Sequence, residues 1–411
     1  MSHVVTCFLR HRTAMLLAQR SGAVDTDTGR WDGVSGEVEG DPTDAEGDAR
    51  REVREKTGRT DTTLVRAGDP LDVADGDRNW TVHPFLFEVA ERAVEPNDNV
   101  AAHEWVSPPV IRERATVPGL WAAYEAVAPT AETVASDETH GSAWLSVRAL
   151  EALRDGAAVA ADEGDESAVT DLARTLRDAR PSMAAVANRV NRVLASGARA
   201  PAAVRDRAGQ AAEDALDADD ASATLAAERC GDAVATLSRS GTVLTALREA
   251  TPTVLVGESR PACEGRDVAD SLAREGLDVT LTTDAALASE LATRNVDAVL
   301  VGADAILADG SVVNKVGTRG LALAAAREGV PVVVVAAAAK VRPDETAHGE
   351  TGASTAPYDG DAPVGVANPI FDRTPAELVN AVCTERGVLN TAGVEAVAAA
   401  HRANAAWDEA E

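Results

Sequence analysis

Lysine is almost missing from this chain: Lys56, Lys315 and Lys340 are the only ones, so arginine supplies nearly all the positive charge. Aromatic residues make up 3% of the sequence, and there are four cysteines. Cys7, Cys230, Cys263 and Cys383 lie far apart and form no CxxC pair, which argues against a zinc site or a disulfide framework and fits a reduced compartment. No apolar run reaches membrane-spanning length, and the N-terminal MSHVVTCFLRHR lacks a signal-peptide core. These absences predict a soluble cytoplasmic protein without a membrane partner. Basic residues are outnumbered by acidic ones, 39 to 67, for a net charge of -28. Such a surface stays solvated and self-repelling where salt screens charge strongly. It offers no basic face to phosphodiesters, so direct nucleic-acid binding is not expected. The 45% apolar content and clear periodic segments argue against disorder.

What is present suggests two domains, since 411 residues exceed one ordinary core. Val4–Leu9 and Met15–Ala18 flank HRT as a hairpin would. An amphipathic helix is expected near Ala45–Lys56, closed by Gly58, and a strand over Trp80–Val89. From about Ala143 to Ala227 the pattern is helical, with candidate breaks at Gly156, Gly164, Pro181 and Pro201. Strands over 253–259, 277–283, 297–304 and 330–339 then read as near-continuous apolar runs, as parallel strands buried on both faces do. Helices over 266–275, 285–294 and 318–328 separate them. The expected class is α/β: a first domain over 1–128, a linker over 129–145, a helical subdomain over 146–230, and a Rossmann-like doubly wound parallel sheet over 231–411.

Residues 36–58 read GEVEGDPTDAEGDARREVREKTG. Carboxylates three and four apart share one helix face, and there they can hold Mg²⁺. Such an ion clamps a diphosphate and activates water. Through Arg51, Glu52, Val53, Glu55 and Gly58 the stretch resembles a Nudix box, and VSGEVEG and HEWVSP resemble that fold's flanking segments. The resemblance covers about the first 125 residues. It implies an α/β/α Nudix fold, with Glu52 and Glu55 as Mg²⁺ ligands for hydrolysis of a nucleoside diphosphate derivative. Two departures stand out. The loop from Gly36 to Arg51 is one residue longer than usual, and Lys56 stands where the box has its second helix glutamate, a principal ligand. Lysine cannot bind Mg²⁺ and repels it. A Nudix fold kept for binding or oligomerisation is therefore expected, with Glu52 and Glu55 on a solvated helix face.

In the second half, Ser259, Arg260, Asp304 and Lys340 fall at carboxyl ends of apolar strands, where open α/β sheets bind ligands. Arg260 can offer a planar fork to phosphate. Asn314, Lys315 and Gly317 sit where a loop enters a helix, and helix N-termini favour anions. Asp304, alone at an apolar strand end, is a candidate general acid/base. The segments VGESRPACEG (256–265), VGADAILADGSVVNKVGT (301–318) and NPIFDRTPAEL (368–378), with Lys340 and the helical DARPSMAAVANRV (178–190), carry a second resemblance. It is to the family uniting translation initiation factor 2B regulatory subunits, ribose-1,5-bisphosphate isomerase and methylthioribose-1-phosphate isomerase. It spans roughly residues 150–405, and the acidity resembles haloarchaeal proteins. The resemblance implies a phosphorylated ribose or nucleotide as partner, a homo-oligomer, Asp304 as a proton-moving group, and Ser259, Arg260, Asn314, Lys315 and Lys340 around phosphate.

In the isomerases, a cysteine after the first sheet strand works with that aspartate. Here VATLSRSGTV (234–243) places Ser238 at the position, a poorer acid/base than a thiol. Cys230 reads as a small buried apolar residue. The family's Arg-Gly-Ala phosphate anchor has its nearest counterpart in RDGAA (154–158), with Asp155 where arginine would fall. Asn368 and Asp372 are expected to order a loop whose turns Pro369 and Pro375 set. A phosphate-binding regulatory or scaffold protein is the first expectation. The alternatives are a sugar-phosphate aldose-ketose isomerase and a Mg²⁺-dependent Nudix hydrolase.

Overall fold

The computed structural model describes residues 2–24, 26–76, 78–197 and 199–408. The chain forms two compact units, one of residues 1–130 with 154–162, the other of 131–153 with 163–411.

The first unit is built on an eight-stranded sheet. Ser2–His11 runs parallel to Arg78–Val89 and antiparallel to Ala14–Arg20 and Val34–Glu37. Alternation along these strands decides what each face buries. Phe8, Leu17, Val82 and Leu86 pack on Ile111, Leu120, Tyr124 and Val127. Cys7, Leu9, Phe85 and Phe87 face the other way, onto Ala49 and Val53 of the helix Glu46–Thr57. The result is the expected α/β/α sandwich. Gly58 closes the helix in a left-handed conformation, φ 72°, and its N–H donates to Arg54 O.

In the second unit, helices Glu166–Asp178, Ala184–Leu194 and Pro201–Ala227 precede a seven-stranded sheet. Numbered by their order in the chain, its strands lie 3-2-1-4-5-6-7: Val279–Thr282, Thr253–Gly257, Ala233–Leu237, Ala298–Val301, Val332–Val335, Ala381–Thr384 and Gly387–Leu389. The first six are mutually parallel and the last is antiparallel. This is the doubly wound order. Strand order reverses between Ala233–Leu237 and Ala298–Val301, the switch point at whose carboxyl ends open α/β sheets place their ligand crevice. A small antiparallel sheet of Ala305–Ile306, Val312–Lys315 and Phe371–Thr374 follows the fourth strand.

The helical region differs from expectation at one break. Gly156 lies inside the helix Ser142–Glu163, which ends only at Gly164, φ 72°. An interior glycine costs about 1 kcal/mol relative to alanine, a deficit that burial of Leu150, Leu153, Ala157 and Ala160 offsets. The same helix starts at Ser142, inside the stretch expected to be linker. Residues 154–162 cluster with the first unit. Pro201 opens its helix at the first turn, where proline leaves no hydrogen bond unmade.

Candidate functional site

The crevice of the second unit is lined by loops that leave the first, second and fourth strands. Ser238 follows the first strand at φ 67°, and Ser259 follows the second at φ 66°. Left-handed backbone is unfavourable for residues with a Cβ, and here a hydrogen-bond chain holds it. Asp284 accepts the N–H groups of Ser259 and Arg260 at 2.8 and 2.7 Å. Ser259 Oγ accepts the Ser238 N–H at 2.5 Å and donates to Gly257 O. A Cβ at Gly257 would crowd this carboxylate, at 3.1 Å from Asp284 Oδ1.

The Ser238 hydroxyl donates to Glu264 Oε1 at 3.2 Å, and Lys315 Nζ lies 2.7 Å from the same oxygen. Glu264 is the first residue of the helix Glu264–Arg274, so its carboxylate also favours the helix dipole. One carboxylate thus ties the loop after the first strand to Lys315 on the small sheet. Glu264 and Asp284 were not singled out from sequence. Glu264 lies within the VGESRPACEG segment, whereas Asp284 is remote in the chain and carries no motif.

Asp304 follows the fourth strand, partly buried, and its backbone N–H donates to Val313 O. Burial raises its pKa, against the pull of the Lys340 and Lys315 ammonium groups. Lys340 sits in the turn Ala338–Lys340 and is 4% exposed. Burial lowers its pKa, with Asp304 and Asp219 opposing the shift. The structure therefore gathers Ser238 and Lys315 around Glu264, with Ser259 holding the Ser238 backbone, and brings Asp304 into the fields of Lys315 and Lys340. Gly302 permits the close approach of the strand ends, since a Cβ there would lie 2.7 Å from Ser240 Oγ.

Other residues take different positions from those expected. Arg260 is exposed, and its guanidinium donates to Ala356 O at 3.2 Å. Asn314 lies on the strand Val312–Lys315 and commits its amide to Thr318 Oγ1 at 3.0 Å. The N-terminus of the helix Thr318–Glu328 already has an anion: Asp372 accepts the N–H of Gly317 at 2.8 Å and that of Arg319 at 3.2 Å. A carboxylate of the chain thus occupies the helix end where the sequence suggested a ligand's phosphate. Asn368 anchors the loop before it by donating to Ala353 O at 2.9 Å. Arg154 and Asp155 pair with each other at 2.7 Å inside the first unit, where Tyr124 Oη donates to Asp155 and Arg154 to Thr13 O. RDGAA is thus core, not a phosphate anchor. Cys230 is buried, with its thiol pushed up to about 11 by desolvation.

In the first unit, Glu52 is 8% exposed, not on a solvated face. Gly36 makes room for it, because a Cβ at Gly36 would lie 1.9 Å from the Glu52 carboxyl carbon. Arg51 lies 3.1 Å from Glu52 Oε1 and Lys56 Nζ 3.3 Å from Oε2, while Lys56 also donates to Ser35 O. Glu55 is exposed on the same helix. No group of three or more His, Cys, Asp or Glu among the described residues is placed to hold a metal ion. The Lys56 ammonium on Glu52 Oε2 does not fit Mg²⁺ at that carboxylate. Nor is any helix among the described residues long and apolar enough to cross a membrane.

The sheet order and its switch point together define a Rossmann-like α/β protein. The chain belongs to the initiation factor 2 subunit family, whose model matches residues 138–391, and it carries an N-terminal NUDIX domain over residues 2–127. It is 35% identical to a ribose 1,5-bisphosphate isomerase of Haloterrigena turkmenica over 298 residues, 64% of this chain and 89% of that protein. Its identity to the protein of the same description from Haloferax volcanii is also 35%, over 63% of this chain and 87% of the relative. Among solved structures it is similar to the translation initiation factor eIF-2B of Pyrococcus horikoshii OT3. There the TM-score is 0.56 at 27% identity, covering 63% of this chain and 94% of that one.

Proposed function

We propose that the C-terminal unit binds a phosphorylated ribose compound in the switch-point crevice, in a regulatory or scaffold role. Lys315, Lys340 and Ser259 would meet phosphate, and Arg260 would swing from Ala356 O to join them. The observation that carries this reading is Ser238. Its hydroxyl donates to Glu264, whose carboxylate is neutralised by Lys315. A hydroxyl so placed has no strong base to activate it, and it cannot ionise near neutral pH as a thiol can.

A second reading, an aldose-ketose isomerase, is favoured by Asp304. Burial holds its carboxyl above the usual range beside two ammonium groups, which suits a group that gives and takes protons. The isomerase relatives support the same reading. Calorimetric titration with ribose-1,5-bisphosphate in molar KCl, paired with NMR of the sugar, separates the two. Binding that weakens at least tenfold in Lys315→Ala, without turnover, is expected. Turnover at enzyme-like rates that Asp304→Asn abolishes would establish the isomerase instead. Absence of binding to a folded protein would sink both.

A further inference from the structure

We propose that Lys56 is a built-in replacement for the divalent cation of the NUDIX domain, so that the first unit is metal-free and one substitution away from a metal site. The Lys56 ammonium lies between two oxygens of the kind a hard cation takes: Glu52 Oε2 at 3.3 Å and the Ser35 carbonyl, to which it donates. The Glu52 carboxylate is pressed against the backbone of Gly36 and is largely withdrawn from water, its side chain 11% exposed. A carboxylate held there needs a counter-charge, because burial penalises an unpaired anion. Both of its oxygens are already served, Oε1 by Arg51 and Oε2 by Lys56.

A divalent ion arriving at Glu52 would meet two fixed positive charges and would have to expel one of them. The scaffold that such an ion would need is otherwise in place. Glu52, Glu55 and position 56 stand at i, i+3 and i+4 on one helix, and the bare Cα of Gly36 lets the loop close on the Glu52 carboxylate. Replacing the ammonium with a carboxylate at position 56 removes one of the two charges, frees Glu52 Oε2, and adds oxygen donors beside it while Arg51 stays on Oε1.

The test is Mn²⁺ binding to the full chain, followed by electron paramagnetic resonance of the free ion. Molar KCl is used so that diffuse association with the acidic surface is screened. Wild type is expected to take up no more Mn²⁺ than Glu52→Gln, and its melting temperature should be the same in Mn²⁺ and in EDTA. Lys56→Glu is expected to gain one site at least tenfold tighter than background, with a melting temperature raised by Mn²⁺. The double variant Lys56→Glu/Glu52→Gln should lose both. Wild-type Mn²⁺ binding that disappears in Glu52→Gln overturns the proposal. So does a folded Lys56→Glu that gains no site. Should Lys56→Glu fail to fold, the wild-type and Glu52→Gln comparison decides alone.

Discussion

Gly265 shows how one residue sets the crevice. A Cβ at this position would lie 1.9 Å from the Gly257 carbonyl oxygen, and backbone cannot yield as a flexible side chain can. The bare Cα lets the helix Glu264–Arg274 touch the end of the second strand, which is how Glu264 reaches Ser238 and Lys315. Gly265→Ala should push the helix away. Overpacking of this kind costs about 1–3 kcal/mol, and the urea midpoint should fall together with affinity for a sugar phosphate. Gly320 supplies the contrast. It lies exposed in the helix Thr318–Glu328 and a Cβ there would meet nothing within 4 Å. Gly320→Ala should stabilise by about 0.5–1 kcal/mol through lost unfolded-state freedom. Equal midpoints for the two variants would refute the packing argument.

At the scale of elements, the C-terminal helix Thr391–Ala405 supports the turn that carries Lys340. His401, 6% exposed, donates from Nε2 to Ala338 O at 3.1 Å, while its Nδ1 is buried without a hydrogen-bond partner. Burial lowers its pKa below 6.5, more than the Ala338 carbonyl raises it. The folded state therefore holds the neutral ring. The unfolded state binds the extra proton first as pH falls, so stability is lost from about pH 6.5 downward. Melting temperatures between about pH 7 and pH 5 should fall less steeply in His401→Gln than in wild type. Parallel curves would show that His401 does not contribute this slope. The helix Thr318–Glu328 depends on tertiary structure in another way: its capping carboxylate, Asp372, comes from a strand 53 residues beyond Arg319. Local sequence located the helix correctly at 318–328 and could not reveal that its N-terminus was taken.

For the whole molecule, 67 acidic against 39 basic residues make self-repulsion a global term. The Debye length shrinks from about 10 Å at 0.1 M salt to about 3 Å at 1 M, which relieves repulsion between exposed carboxylates. Partly buried pairs such as Lys56–Glu52 and Lys315–Glu264 are screened much less. The melting temperature should therefore climb steadily between about 0.1 M and about 2 M KCl. A flat profile in scanning calorimetry would mean that the acidic surface does not limit stability.

The sequence by itself determined the α/β class, both family resemblances, the parallel strands and the two departures at Lys56 and Ser238. These are local matters: apolar runs announce strands buried on both faces, and a motif fixes which residue types stand at which spacing. Tertiary structure decided the rest. It brought Glu264 and Asp284 to Ser238 and Ser259, drew Asn314 into a bond with Thr318, and turned Arg260 to Ala356. It also buried Glu52 between Arg51 and Lys56, where a solvated helix face was expected. The physical reason is that partners of charged groups are chosen by proximity in three dimensions. The 26 residues from Ser238 to Glu264, or the 51 from Glu264 to Lys315, carry no pattern that announces their meeting.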